Sequence, residues 1–210
     1  MVTFFQRPVE AACPERGRLV VTIRTTTADP EKWDDVVNVF GRRGDDPGWC
    51  WCQRFVDQPA SSAPVDNRTA LHREITRSLV SPGIVAYVDG MAAGWTRVMP
   101  RHLIAGVARN RALRRIVDDV PTVWWVTCFA VNTKHRSIGV ATELLRAAVD
   151  HAKLHGATAV EGHPVDTDAL QAERVSGSAL FTGTMRTFTA AGFHEIGRTY
   201  PSRPVMRRDL

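Results

Sequence analysis

Residues 122–131, TVWWVTCFAV, constrain this chain more than any others. β-branched and aromatic residues dominate the run, which favours an extended strand, and its apolar residues occupy odd and even positions alike. Successive side chains of a strand point to opposite faces, so both faces must be covered and the strand belongs in the interior of a sheet. A helix follows at once. Ala141, Leu144, Leu145, Ala148 and Ala152 recur at helical spacing on one stripe, and Gly156 supplies a C-terminal stop. Residues 157–163, ATAVEGH, then read as another buried strand.

The remaining elements fit around this unit. Residues 19–26 carry the β-branched run of a strand. Asp29 and Pro30 are suited to open a helix that ends near Gly41 or Gly44, with Trp33, Val36, Val37 and Phe40 as its buried face. The loop segment GDDPGWCWCQRF follows, and a second helix spans about 66–80 until Ser81-Pro82-Gly83 stops it. Two strand-like runs, 84–88 and 91–99, are separated by Asp89-Gly90, a two-residue hairpin signal. Residues 100–121 form a variable connection. After a polar stretch at 164–178, a helix is expected over 179–191 and two closing strands at FHEIGR and PVMRRDL. The order predicts one mixed α/β (α+β) domain over 19–210, with a central mixed twisted sheet of about seven strands and about four helices. Residues 1–18 are expected to form a flexible extension.

Composition narrows the function classes. Hydrophobic residues make up 44% and charged residues 23% of 210, which suits a globular chain with a real core and argues against disorder. No apolar run reaches the roughly 20 residues that span a membrane, and Arg7, Pro8 and Glu10 interrupt any leader, so a cytoplasmic protein without a membrane partner is expected. The net charge of +5 comes from 27 basic residues, of which only Lys32, Lys134 and Lys153 are lysines. The arginines are scattered rather than set on one face, so no nucleic-acid partner is expected, although a basic surface attracts anionic ligands. Cys50 and Cys52 leave one residue between them where structural zinc sites have two to four, and no second pair stands at a fitting distance, so no metal is expected. Free thiols are the expectation for all four cysteines.

Chemistry concentrates between the interior strand and its helix, at Asn132-Thr-Lys-His-Arg136-Ser-Ile-Gly139-Val-Ala141-Thr142. A glycine at a helix entrance lets backbone approach a ligand closely, and the first free N–H groups suit a pyrophosphate. Arg136-x-x-Gly139-x-Ala141 resembles the Arg/Gln-x-x-Gly-x-Gly/Ala signature of the GNAT superfamily of acyl-CoA-dependent N-acyltransferases. It lies after the fourth expected strand and opens the third long helix, as it does there. The resemblance covers about 19–210, including FTAAGF at 188–193, which looks like the family's aromatic-x-x-x-Gly-Phe ending.

The resemblance implies a direct transfer from acetyl-CoA, as co-substrate, to a primary amine in a ternary complex, the acceptor being a small molecule or antibiotic, or a protein lysine. The N–H groups of Ser137, Ile138, Gly139, Val140, Ala141 and Thr142 would surround the pyrophosphate, and Arg136 of the motif would be a further cofactor-binding residue. Val131 would pair with the pantetheine, and the Phe129 N–H would face the thioester carbonyl and stabilise its oxyanion. The loop between the first two helices overhangs the acceptor in this family, which makes Trp49 and Trp51 candidate acceptor-binding residues and Cys50 and Cys52 small packing residues. The family's glutamate base and tyrosine acid are replaced by Trp125 and Phe188. Glu161 is the base expected instead, since burial on a strand raises a carboxylate's pKa, with His163 on the same face as a proton relay. For Glu161 a structural pairing with arginine is the alternative, and for His163 a hydrogen-bonded structural histidine. A CoA-binding sensor without transfer activity is the alternative for the whole chain, and a homodimer is left open.

Overall fold

The computed structural model describes residues 4–10, 20–56, 66–170 and 180–210, with side chains from residue 21 onward. Cys13, the end of the N-terminal extension and most of the polar stretch after Asp166 lie outside the described residues. Eight strands form one sheet: β1 Phe4–Glu10, β2 Val20–Thr27, β3 Gly83–Val88, β4 Met91–Pro100, β5 Val123–Val131, β6 Ala159–Gly162, β7 His194–Tyr200 and β8 Arg203–Asp209. Their spatial order is β1-β2-β3-β4-β5-β6-β8-β7. Neighbours are antiparallel except β5 and β6, which run parallel. The expected mixed α/β class holds, with one strand more than foreseen. That strand is β1, within the extension expected to be flexible; it pairs with β2 from Phe4↔Thr26 to Glu10↔Val20. Backbone pairing along an edge tolerates the polar, proline-containing sequence that masked it.

Each face of the sheet carries its own layer. Helix α4, Val140–Leu154, covers one face, burying Val140, Leu144, Leu145, Ala148 and Ala152 against Ile23, Ile84, Val98, Trp124 and Val126. The other face is covered by α1, Trp33–Phe40, and α2, Asn67–Arg77, whose Val36, Val39, Leu71 and Ile75 meet Val85, Trp95 and Cys128. Trp124 and Trp125 thus point to opposite sides of β5, and Trp125 joins Ile104, Val107, Leu113 and Val205 in a third cluster. That cluster is roofed by the connection after β4, which contains the short helix α3, Ala105–Ala108. Burying one such leucine or valine contributes about 2 kcal/mol, so the unbroken apolar run at 122–131, buried on both faces, dominates the placement of β5.

Local signals set the boundaries. Asp66 accepts from the Thr69 N–H at 2.7 Å and starts α2. Asp89 (φ 49°) and Gly90 (φ 83°) both adopt the left-handed conformation that the tight β3–β4 turn requires. The last helix, α5, spans only Met185–Ala190, shorter than the stripe over 179–191 suggested, because Thr184 caps it by accepting from Thr187 N at 3.2 Å. No helix among the described residues is long and apolar enough to cross a membrane.

Candidate active site

The parallel pair β5–β6 is short. It runs from Val123↔Ala159 to Val126↔Gly162 and stops, although β5 continues to Val131. A bulge coincides with the separation: Arg97 faces Cys128 and Val98 faces Val126, which leaves Thr127 unopposed. On the β6 side, a Cβ on Gly162 would lie 2.5 Å from the Phe188 ring, so this ring occupies the space where β6 ends. β5 therefore runs on past the last residue of β6, and its stretch from Thr127 to Val131 is not paired with that strand. Residues 180–184 lie in the opening. Phe129 N–H donates to the Phe181 carbonyl at 2.6 Å, and Val165 and Thr184 form an isolated bridge.

At the end of β5 the chain turns into α4. Asn132 accepts from Lys134 N at 3.2 Å, and Arg136 Nε donates to the Val131 carbonyl at 3.4 Å. Ser137 (φ 63°) and Gly139 (φ 94°) are both left-handed, which aims the first turn of α4 outward beside the end of β5. The intrahelical ladder starts with Glu143 N–H to Gly139 O at 3.1 Å, so the amides of Val140, Ala141 and Thr142 have no partner within the helix. Close approach of β4 helps place this turn: a Cβ on Gly94 would be 2.8 Å from Val140 Cγ1. The arrangement is a helix N-terminus with positive dipole character directly beside an opening between two strands.

Glu161 lies on β6 within the paired stretch, opposite Trp125, and His163 just after β6. Glu161 is fully buried; one of its oxygens accepts from Arg101 and the other from Arg207 at 3.0 Å. Burial pushes its carboxyl above the usual range, opposed by the two arginines. With each oxygen held and no surface exposed, Glu161 is an ion-pair partner, the alternative to a base. Its arginines come from just past the end of β4 and from β8. His163 Nε2 lies 2.8 Å from Thr199 Oγ1, and the Arg203 guanidinium reaches Nδ1 at 3.4 Å and the His163 carbonyl at 2.8 Å. Burial, then the Arg203 charge, lowers its pKa to about 4. Both ring nitrogens are engaged, as in a structural histidine.

The GWCWC segment divides into two parts. Trp49 is 38% exposed, with the Arg43 guanidinium 4.9 Å from its ring centroid. Trp51 has no exposed surface; it packs 4.6 Å from the Phe40 ring and 5.8 Å from Trp33, and its Nε1–H donates to the Asp46 carbonyl at 2.9 Å. The expectation that Trp51 presents a face to an acceptor is corrected: its left-handed backbone (φ 41°) turns the ring into the core. Cys52 is likewise no free packing thiol but is disulfide-bonded to Cys128 on β5, while Cys50 is free.

A family profile places the chain. The profile of the acetyltransferase (GNAT) family matches residues 49–175, more than half of the chain. The chain belongs to the GNAT family. Comparison with curated protein sequences finds no significant match. Among solved structures, the chain resembles the GNAT domain of S. lividans PAT at 13% identity, with 90% of this chain and 91% of that one covered and a TM-score of 0.54. A GCN5-related N-acetyltransferase from Kribbella flavida gives 18% identity, 90% and 98% coverage and a TM-score of 0.51. YncA from Salmonella typhimurium, solved with its cofactor acetyl-CoA, gives 16%, 90% and 94%, and 0.51. At these identities the likeness shows a shared fold.

Within the GNAT frame, β5 is the strand that the motif follows, β1 having shifted the count by one. Trp125, at the position of the glutamate base, is buried in the cluster with Leu113 and Val205. Phe188, at the position of the tyrosine acid, is fully buried and packs edge-on to Phe129 at 6.2 Å and Phe193 at 5.0 Å. Sequence reasoning missed a buried polar group on the α1–α2 face. Arg97 on β4 is fully buried and pairs with Glu74 of α2, which also accepts from Gln53 Nε2 at 3.3 Å. Arg97 Nη1 and Thr127 Oγ1 have no hydrogen-bond partner among the described residues. An arginine inside the apolar strand GWTRVM was the available signal, since buried cations are almost always paired.

Proposed function

We propose that this GNAT protein binds acetyl-CoA in the β5–β6 opening and transfers its acetyl group directly to a primary amine. The observation that carries the reading is the end of the β5–β6 pairing at Val126 and Gly162, with β5 running on to the first turn of α4 at Gly139. In this reading the amides of residues 137–142 hold the pyrophosphate, Arg136 adds positive charge at the surface, and the Val131 backbone pairs with the pantetheine. The amine attacks the thioester carbonyl, the Phe129 N–H stabilises the oxyanion, and CoA leaves as the thiol. Direct transfer is supported by the Cys52–Cys128 disulfide, which leaves Cys128 without a thiolate for a covalent acyl-enzyme. With Trp125 and Phe188 unable to exchange protons, the ammonium loses its proton to water, and Glu161 acts by holding Arg101 and Arg207. The half-exposed Trp49 favours a small amine that stacks on its ring over an extended peptide.

A second reading, a CoA-binding sensor without transfer activity, is favoured by the same two replacements and by the Phe181 carbonyl already on Phe129 N–H. Incubation with acetyl-CoA and a panel of amines, followed by release of free thiol, separates the two. Thiol release that depends on the amine supports transfer. Tight CoA binding without turnover on any amine, lysine-rich proteins included, supports the sensor.

A further inference from the structure

We propose that residues 180–183 are a resident occupant of the acyl site that acyl-CoA must displace, and that Phe181 sets how firmly they are held. The inference rests on the acetyl-transfer reading and adds a competition to it. The Phe181 carbonyl sits 2.6 Å from Phe129 N, the donor assigned to the thioester carbonyl. One N–H serves one carbonyl well, so the two cannot be bound there together. The segment is tied down within itself and on its C-terminal side. Val165 N–H donates to the Gly183 carbonyl at 3.0 Å, Met185 N–H to the Val165 carbonyl at 2.8 Å, and Gly183 N–H to the Leu180 carbonyl at 2.9 Å. Arg203 Nη1 donates to Thr182 Oγ1 at 3.1 Å. Gly183 holds a left-handed turn (φ 83°) so close to β5 that a Cβ would lie 2.9 Å from the Phe129 ring.

The Phe181 ring reaches the other side of the site. It stacks on Phe55 at 6.0 Å with 17° between planes, and the Arg54 guanidinium lies 5.4 Å from its centroid. Phe55 and Arg54 directly follow the segment that bears Trp49. One residue thus bridges the acyl donor position and the acceptor-side loop. Displacing its carbonyl loosens its ring contacts, so acyl-CoA binding opens the acceptor side and precedes amine binding. The apparent affinity for acyl-CoA is lowered by the fraction of molecules in which the segment is in place.

Titration calorimetry with acetyl-CoA on the full chain tests this. Phe181→Ala removes an aromatic pair and a cation–π contact and is expected to lower the Kd by about tenfold. Phe55→Leu keeps the bulk and charge but loses the stacking, and a fall of about threefold is expected; it decides the matter if Phe181→Ala does not fold. In the wild type, exchange of the Val165, Gly183 and Met185 amides accelerates on saturation with acetyl-CoA. Binding with equal or weaker affinity in the folded variants, or unchanged exchange at those amides, overturns the competition and leaves acetyl transfer standing. An absence of acetyl-CoA binding in the wild type and both variants overturns the transfer reading and this inference with it.

Discussion

Trp49 and Trp51 stand two residues apart and have opposite surroundings, which makes them a paired test at the residue scale. Trp51→Ala empties a fully buried site and should cost about 3–5 kcal/mol in chemical denaturation while leaving the amine KM of the folded fraction unchanged. Trp49→Ala should cost less than about 1 kcal/mol but raise the KM for the amine about tenfold relative to that for acetyl-CoA. Equal KM values would confine Trp49 to packing under Arg43. Glu161→Gln leaves the Arg101 and Arg207 guanidinium groups with Asp118 and, for Arg207, Asp209 as remaining anionic partners. It should destabilise the fold by about 3 kcal/mol, because the buried Arg101 loses the buried one of its two compensating charges. If Glu161 only positions these arginines, turnover per folded molecule at saturating acetyl-CoA stays within about twofold. A fall of a hundredfold with unchanged stability would make Glu161 the base after all.

At the scale of elements, the β5–α4 connection was legible because its signals are local. A glycine at a helix entrance and a stripe at helical spacing need only neighbouring residues to specify them. Gly139→Val should raise the KM for acetyl-CoA about tenfold at unchanged amine KM. A β-branched residue is strained at φ 94° and its side chain would stand where phosphate oxygens approach the amides. The shorter α5 and the added β1 were not legible for complementary reasons. In α5, Thr184 ends an apolar stripe that by itself does not show where capping begins. In β1, pairing is through backbone, which leaves little hydrophobic pattern to read.

Across the whole molecule, two buried histidines give the fold a pH dependence. His151 of α4 lies 3.0 Å from the Ser81 carbonyl, and His163 lies beyond β6; burial lowers both from 6.5 to about 4. Between those values the unfolded chain binds more protons than the folded one. Stability is therefore complete above about 6.5 and lost as the pH falls through that window toward 4. Urea midpoints should fall as the pH drops from 6.5 to 4, and His151→Gln should flatten the slope. A flat profile in the wild type would show both rings charged in the native state.

The interior strand at 122–131, the hairpin at Asp89-Gly90, the helix behind Gly139 and the family they compose are all written in local sequence. Each of these rests on spacing within one or two elements, where hydrophobic periodicity and turn chemistry act over a few residues. The folded chain alone brings Cys52 to Cys128 across 76 residues, closes Arg101 and Arg207 on Glu161, and carries the Phe181 carbonyl to Phe129. Those contacts depend on strand order, on the bulge at Thr127 and on where β5 and β6 part. Such quantities are set by the packing of the whole sheet, and no short stretch of sequence encodes them.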